Sequence, residues 1–112
     1  MPPESAALLW DAREAAKSIG DFLDGVSVED YVDDRMRRRA VEREFEIVGE
    51  ALTKLRRDDP ETARRIPGLK EAIGLRNVLI HRYAEIVDER IYDTAISDLP
   101  SLIETITTLM RE

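Results

Sequence analysis

The sequence predicts an all-α fold, an antiparallel four-helix bundle with an extra short helix, on three observations. Apolar residues recur in steps of three and four along four segments, the period of a helix with one buried face. Strand-like alternation and hairpin turn signals are absent. The connections between the periodic segments are short, which sets successive helices side by side in opposite directions.

The first segment carries Leu8, Ala12, Ala15, Ile19 and Phe22 and ends near Gly25. Ser27, with Asp30 three positions on, resembles a capping box, so a second helix should begin there. Its later half carries Val41, Phe45, Val48, Leu52 and Leu55 as one stripe, and it should run to about Arg57, because Asp59-Pro60 disfavours continuation. The stretch RDDPETARRIPG (57–68) reads as a connector with one short helical turn. A third helix takes Leu69 to about Tyr83. Asp88 suits the cap of a fourth, in which Ile91, Ala95, Leu99, Leu102, Ile106 and Leu109 form the buried stripe and Pro100 should kink or divide the helix. Trp10, the sole tryptophan, is expected as a core or interface anchor. Gly49-Glu50 either permits close helix packing or lets Glu50 orient groups nearby, with packing favoured.

At 112 residues the chain fits one domain, taken as 1–112. Apolar residues make up 43% and charged residues 37%, enough for a core beneath a heavily charged surface. No run approaches the roughly 18 apolar residues of a membrane span, and the start, MPPESAALLW, lacks the basic and apolar regions of a signal peptide. A cytoplasmic protein with no membrane partner is therefore expected. With no cysteine there is no disulfide, thiolate nucleophile or zinc-thiolate site, and one histidine excludes a multi-histidine metal site within one subunit. No metal and no other cofactor is expected.

The net charge of −7 argues against a nucleic-acid partner until its distribution is considered. Residues 1–34 hold nine acids and two bases, whereas residues 35–112 hold fifteen of each. Within that neutral remainder RMRRRAVER (35–43) sets five arginines against Glu42. Such a run is either a solvated helix face or a phosphate-facing surface, in which case Arg37, Arg38 and Arg39 would contact RNA.

Residues 76–83, RNVLIHRY, hold the only histidine. On a helix Asn77 and His81 share a face, and Arg76 and Tyr83, seven apart, share another about 100° away. Arg76 offers a fixed fork of donors suited to phosphate oxygens. His81 can take or give a proton near neutral pH. Asn77 could orient the imidazole or a substrate hydroxyl, and Tyr83 could donate to phosphate, stack on a base or be modified. On spacing alone these residues fit a polar, capped helix end as readily as a catalytic site. Metal-free RNA hydrolysis needs one group to deprotonate the ribose 2′-hydroxyl and another to protonate the leaving oxygen. One histidine supplies half of that, and a symmetric dimer would supply both, with two Arg76 to stabilise the phosphorane.

RNVLIHRY resembles the Arg, four residues, His, any residue, Tyr signature of HEPN domains, in particular the HepT-like toxins of toxin–antitoxin pairs. AVEREFEIVGEALTKL (40–55), IPGLKEAIGLRNVLIHRY, the following VD and the later LPSL resemble the same family, in matching order over roughly residues 8–110. Many members have a tryptophan after the proline of IPGLKE, where this chain has Gly68 and Leu69. The resemblance implies an all-helical homodimer that acts as a metal-independent ribonuclease on RNA, transfer or messenger RNA among the candidates. Matched residue by residue, Arg76 and His81 fall on the catalytic positions, Asn77 on a supporting polar position and Tyr83 on the closing tyrosine. It also implies a partner, a minimal nucleotidyltransferase antitoxin of the MntA type, which inactivates the toxin by transferring AMP from ATP to that tyrosine. Two other readings stay open: a non-catalytic nucleotide-binding or scaffolding module, and a substrate-recruiting subunit for the nucleotidyltransferase.

Overall fold

Six α-helices and a single 3₁₀ turn form the computed structural model, which describes residues 1–112. In chain order they are α1 (Pro3–Leu23), α2 (Val28–Asp33), α3 (Arg35–Asp58), α4 (Pro60–Ala63), α5 (Leu69–His81), the 3₁₀ turn Tyr83–Glu85 and α6 (Asp88–Met110). The long helices are α1, α3, α5 and α6, so the four-helix framework is as expected, with two short helices added.

Polar ties at the helix ends fix the direction of each neighbour. Ser5, buried near the start of α1, donates from Oγ to Asp59 Oδ2 at the end of α3, 2.7 Å away. At the opposite end Arg37, early in α3, donates to the carbonyl oxygen of Phe22. Helices α1 and α3 are therefore antiparallel. Tyr92, early in α6, donates to the Val26 carbonyl just past α1 at 2.6 Å, and Glu112 beyond α6 meets Arg65 just past α4. Thus α6 runs antiparallel to α1. Helix α5 packs on α3, and α6 on α1. Between α5 and α6 lies a groove of about 660 Å³, floored in part by Phe45, Val48, Ala72, Leu75 and Leu99.

The stripes expected in α3 and α6 form the core: Val41, Phe45, Val48, Leu52 and Leu55, and Ile91, Ala95, Leu99, Leu102, Ile106 and Leu109, are all buried. Each large aliphatic or aromatic side chain so buried contributes on the order of 1.5–3 kcal/mol relative to exposure. In α1 the buried line lies slightly rotated from the expected one. Leu9, Ala16 and Leu23 join Ala12, Ala15 and Ile19 inside, while Leu8 and Phe22 pack half-buried at its edge. Trp10 stands on the outside at 51% exposure and is no core anchor.

Four local expectations are corrected. The helix expected over about 27–57 is two helices, broken at Asp34 (φ −109°, ψ 92°). Ser27 caps α2 by accepting from the Asp30 amide, and Asp34 caps α3 by accepting from the Arg37 amide at 3.0 Å. A short carboxylate competes well for free amides at a helix start and poorly for a place in the interior, so the pair Asp33-Asp34 ends one helix and begins the next. Helix α5 stops at His81, before Tyr83, because Arg82 leaves helical geometry (φ −138°, ψ 45°). Val87, not Asp88, occupies the cap position of α6, and Asp88 pairs with Arg38 at 3.6 Å. Pro100 does not divide α6: it sits on the exposed side, where the carbonyl it leaves unbonded, that of exposed Ile96, has no apolar packing to disturb. The 57–68 connector holds its single short turn, α4, with Asp59 as its cap. No helix is long and apolar enough to cross a membrane.

Candidate active site

Helix α5 is clothed on one side only. Ile73 and Leu79 are its buried residues, while Asn77, Ile80 and His81 are exposed and Arg76 is half-buried. The helix ends on His81, so the imidazole stands at a terminus where the last carbonyls carry partial negative charge.

Arg76 is placed by contact with α3. A Cβ built on Gly49 would stand 2.2 Å from Arg76 Cβ, 2.8 Å from Arg76 Cγ and 3.1 Å from the Ala72 carbonyl oxygen. Only the absence of a side chain at position 49 lets the stem of Arg76 lie against α3. Of the two readings of Gly49-Glu50, packing holds for Gly49, and the residue it admits is the motif arginine itself; Glu50 pairs with Lys54 at 3.4 Å on the surface. Beyond the stem, Arg76 Nη1 donates to Asn77 Oδ1 at 3.0 Å, whereas its Nε is buried with no protein partner. Asn77 therefore orients the guanidinium rather than the imidazole.

Tyr83 turns away from α5 onto α3. Its hydroxyl donates to Glu42 Oε1 at 2.8 Å and accepts from Arg39 Nη1, and the Arg39 guanidinium carbon lies 5.1 Å from the ring centroid. Arg39 Nη1 also lies 3.3 Å from Glu42 Oε1. Glu42 is only 3% exposed, and its second oxygen, Oε2, has no partner. Partial burial of the phenol, then the hydrogen bond to Glu42 and its negative charge, push the Tyr83 hydroxyl above its ordinary pKa. The expected face shared by Arg76 and Tyr83 does not exist, because the helix has ended between them.

The basic run serves the fold first. Arg37 ties Asp34 and the Phe22 carbonyl, and Arg38 ties the Val32 carbonyl and Asp88. Of the three arginines considered for RNA, Arg39 alone meets the motif, through Tyr83. The structure thus brings together Arg76 with Asn77, and Tyr83 with Arg39. His81 stands free of both pairs, exposed at the helix end. Glu42 is the residue that spacing did not single out. A signal for Glu42 existed: it lies one position from Val41 and three from Phe45, so a charge there borders the buried stripe and requires a partner. No group of three or more His, Cys, Asp or Glu side chains converges as metal ligands would.

Comparisons with known proteins point one way. The family model described as "Ribonuclease HepT-like" matches residues 12–109. A Methanocaldococcus jannaschii protein named "Putative RNase MJ1380" is 33% identical over 86% of this chain and 87% of its own length. A Thermococcus cleftensis protein named "Probable ribonuclease HepT" is 33% identical over 84% of each chain. No solved structure matches the chain.

Proposed function

The chain belongs to the HepT-like ribonuclease family, and from that premise we propose that it is a metal-independent endoribonuclease, the toxin of a toxin–antitoxin pair, acting in the cytoplasm as a homodimer of one HEPN-like domain, residues 1–112. The observation that carries this reading is Arg76. Its stem is held against Gly49, its orientation is set by Asn77, and a buried N–H donor is left with no acceptor from the protein. A buried unmatched donor costs free energy, and an anion brought beside it removes that cost.

A dimer completes the chemistry. Steps of 100° put His81 roughly 140° around α5 from Arg76, so one chain does not easily aim both at one phosphate. The exposed side of α5 carries His81, Asn77 and the apolar Ile80 together, a surface suited to a second copy. In the paired site one His81 takes the proton of the ribose 2′-hydroxyl as that oxygen attacks phosphorus. The other His81 gives a proton to the departing 5′-oxygen. Arg76 stabilises the charge gathered on the phosphorane. The products are a 2′,3′-cyclic phosphate and a 5′-hydroxyl.

In this reading the partner is a minimal nucleotidyltransferase antitoxin that transfers AMP to Tyr83. The phosphate so added would repel RNA and crowd the site. A second reading, a non-catalytic nucleotide-binding or scaffolding module, draws support from the internal partners that Asn77 and Tyr83 already have. Incubating the pure protein with total RNA and tRNA in EDTA, beside a His81→Ala control, tests between them. Cleavage by the parent alone establishes the nuclease; identical RNA profiles favour the scaffold.

A further inference from the structure

We propose that Glu42 is the proton acceptor for chemistry at Tyr83: its carboxylate receives the phenolic proton when the Tyr83 oxygen attacks an electrophile, with Arg39 fixing the pair. This rests on the reading of Tyr83 as the residue that is modified, and adds to it the group that makes a phenol reactive near neutral pH.

A neutral phenol is a poor nucleophile, and its reactive form becomes abundant only well above physiological pH. Tyr83 has in place what overcomes this. The hydroxyl hydrogen points at Glu42 Oε1 across 2.8 Å, inside the range for direct proton transfer. The acceptor belongs to a different element, 41 residues away, and is 3% exposed, so surface chance does not explain the contact. Its Oε2 has no partner, leaving Glu42 with accepting capacity that folding does not use. Arg39 touches both the hydroxyl and the carboxylate, which holds the two together and places a positive charge where a phosphate oxygen would arrive. Neither other tyrosine has this setting: Tyr31 is fully buried, and Tyr92 donates to the Val26 carbonyl, which cannot take a proton.

With ATP as the electrophile, a bond forms from the Tyr83 oxygen to the α-phosphorus and the bond from that phosphorus to the β-bridging oxygen breaks. Pyrophosphate leaves, and the phenolic proton ends on Glu42. The hydrogen bond from Tyr83 to Glu42 is lost in the product, because the oxygen no longer carries hydrogen. Nearby ionisable groups that shape the pH response are Arg39 on α3, Asp88 at the start of α6 and Tyr31 on α2.

The test separates this inference from the antitoxin reading by using two electrophiles. In the first arm the chain alone, as parent and Glu42→Gln, is treated with an aryl sulfonyl fluoride, and labelling of Tyr83 is followed by peptide mapping, with Tyr92 as internal control. The parent should label Tyr83 about 10²-fold faster near pH 7.5, the scale of general-base assistance. Its rate should stay nearly level from pH 7 to 9, while that of Glu42→Gln rises about tenfold per unit as phenolate forms. Equal rates, or faster labelling of Glu42→Gln, would overturn the proposal. Should Glu42→Gln fail to fold, Glu42→Asp withdraws the carboxylate by one methylene and should also label more slowly. In the second arm, α-labelled ATP, magnesium and a minimal nucleotidyltransferase of the proposed antitoxin type replace the sulfonyl fluoride. Slower AMP transfer to Glu42→Gln supports the proposal, and an unchanged rate counts against it. A Glu42-dependent first arm with no AMP transfer to the parent supports Glu42 as acceptor and removes the antitoxin reading alone.

Discussion

Gly49 and Arg76 touch across the α3–α5 seam so closely that a Cβ on the first would lie 2.2 Å from the Cβ of the second. The contact joins packing to the site, because the same glycine that lets the helices approach also sets where the motif arginine leaves its helix. A mid-helix glycine costs about 1 kcal/mol against alanine. At position 49 that cost is offset by a contact no other residue permits.

Gly49→Ala should therefore destabilise the chain by about 1–3 kcal/mol, the usual range for overpacking, even though alanine is the better helix former. Gly20, in α1, and Gly74, in α5, have nothing within 4 Å of a built Cβ and lie on exposed positions. Alanine at either should raise stability by up to about 1 kcal/mol. Urea denaturation of the three variants measures this directly; a stable Gly49→Ala would mean that the seam has room the structure does not show. RNA cleavage by Gly49→Ala should fall with it, as Arg76 is displaced.

Arg76→Ala and His81→Ala should each lower cleavage at least 10²-fold while helicity is retained. His81 is exposed and Arg76 half-buried, so neither substitution opens the core. Cleavage that survives both, read on labelled tRNA, would locate the chemistry elsewhere. Cyclic phosphate ends should form in EDTA, and a reaction stopped by EDTA and restored by magnesium would refute the metal-free mechanism.

Most of the framework was legible because it rests on period. Val41 through Leu55 and Ile91 through Leu109 repeat in threes and fours, and both stripes are buried as read. The Ser27 cap and the short turn at Pro60 were equally visible, since both depend on residues adjacent in sequence. What period could not show was competition at single positions. Asp34 could have continued a helix or capped one, and the Arg37 amide it bonds decides for capping. Tyr83 looked helical with Arg76 because nothing near it in sequence reveals that its hydroxyl is held by Glu42, 41 positions earlier. Trp10 is apolar but falls on the outer side of α1, a matter of rotation by one residue. In the site, the types at Arg76 and His81 pointed to phosphate chemistry, whereas the seat of Arg76 on Gly49 is a contact between elements and carries no local pattern.

The Tyr83 phenol should titrate above its ordinary range, first because it is partly buried and then because Glu42 accepts a hydrogen bond from the neutral hydroxyl and repels the phenolate. Tyr31, wholly buried, should titrate later still. A raised folded pKa means the neutral phenol is favoured by folding. The stability it contributes is fully present below the unfolded value, about pH 10, and is lost as pH rises from there through the folded value. Absorbance at 295 nm should show the Tyr83 step ahead of the Tyr31 step. In Glu42→Gln the Tyr83 step should move to lower pH, and an unmoved step would break the link between these two residues.

Arg37→Ala and Arg38→Ala should cost stability rather than RNA affinity. Arg37 joins Asp34 to the Phe22 carbonyl, and Arg38 joins the Val32 carbonyl to Asp88, so each links two elements. A loss of about 1 kcal/mol is expected for each, as for ordinary hydrogen bonds. The slope of RNA binding against salt should change little in the double variant. A slope lowered by about two charges would return both side chains to the phosphate-facing surface.

The dimer can be tested at Ile80. It sits between Asn77 and His81 in sequence, exposed as they are and 42% open to solvent, on the side of α5 away from its buried residues. If two α5 helices meet there, Ile80 is removed from water on association, and a carboxylate in its place would have to be desolvated or meet its own copy across the axis. Light scattering at micromolar concentration should then give a dimer for the parent and a monomer for Ile80→Glu. Cleavage should fall with the loss of the dimer although Arg76 and His81 are untouched, because each chain brings a single histidine to a reaction that moves two protons. A parent that is monomeric yet cleaves RNA, or an Ile80→Glu monomer of full activity, would show that one chain suffices and that the second proton comes from some group other than a partner's histidine.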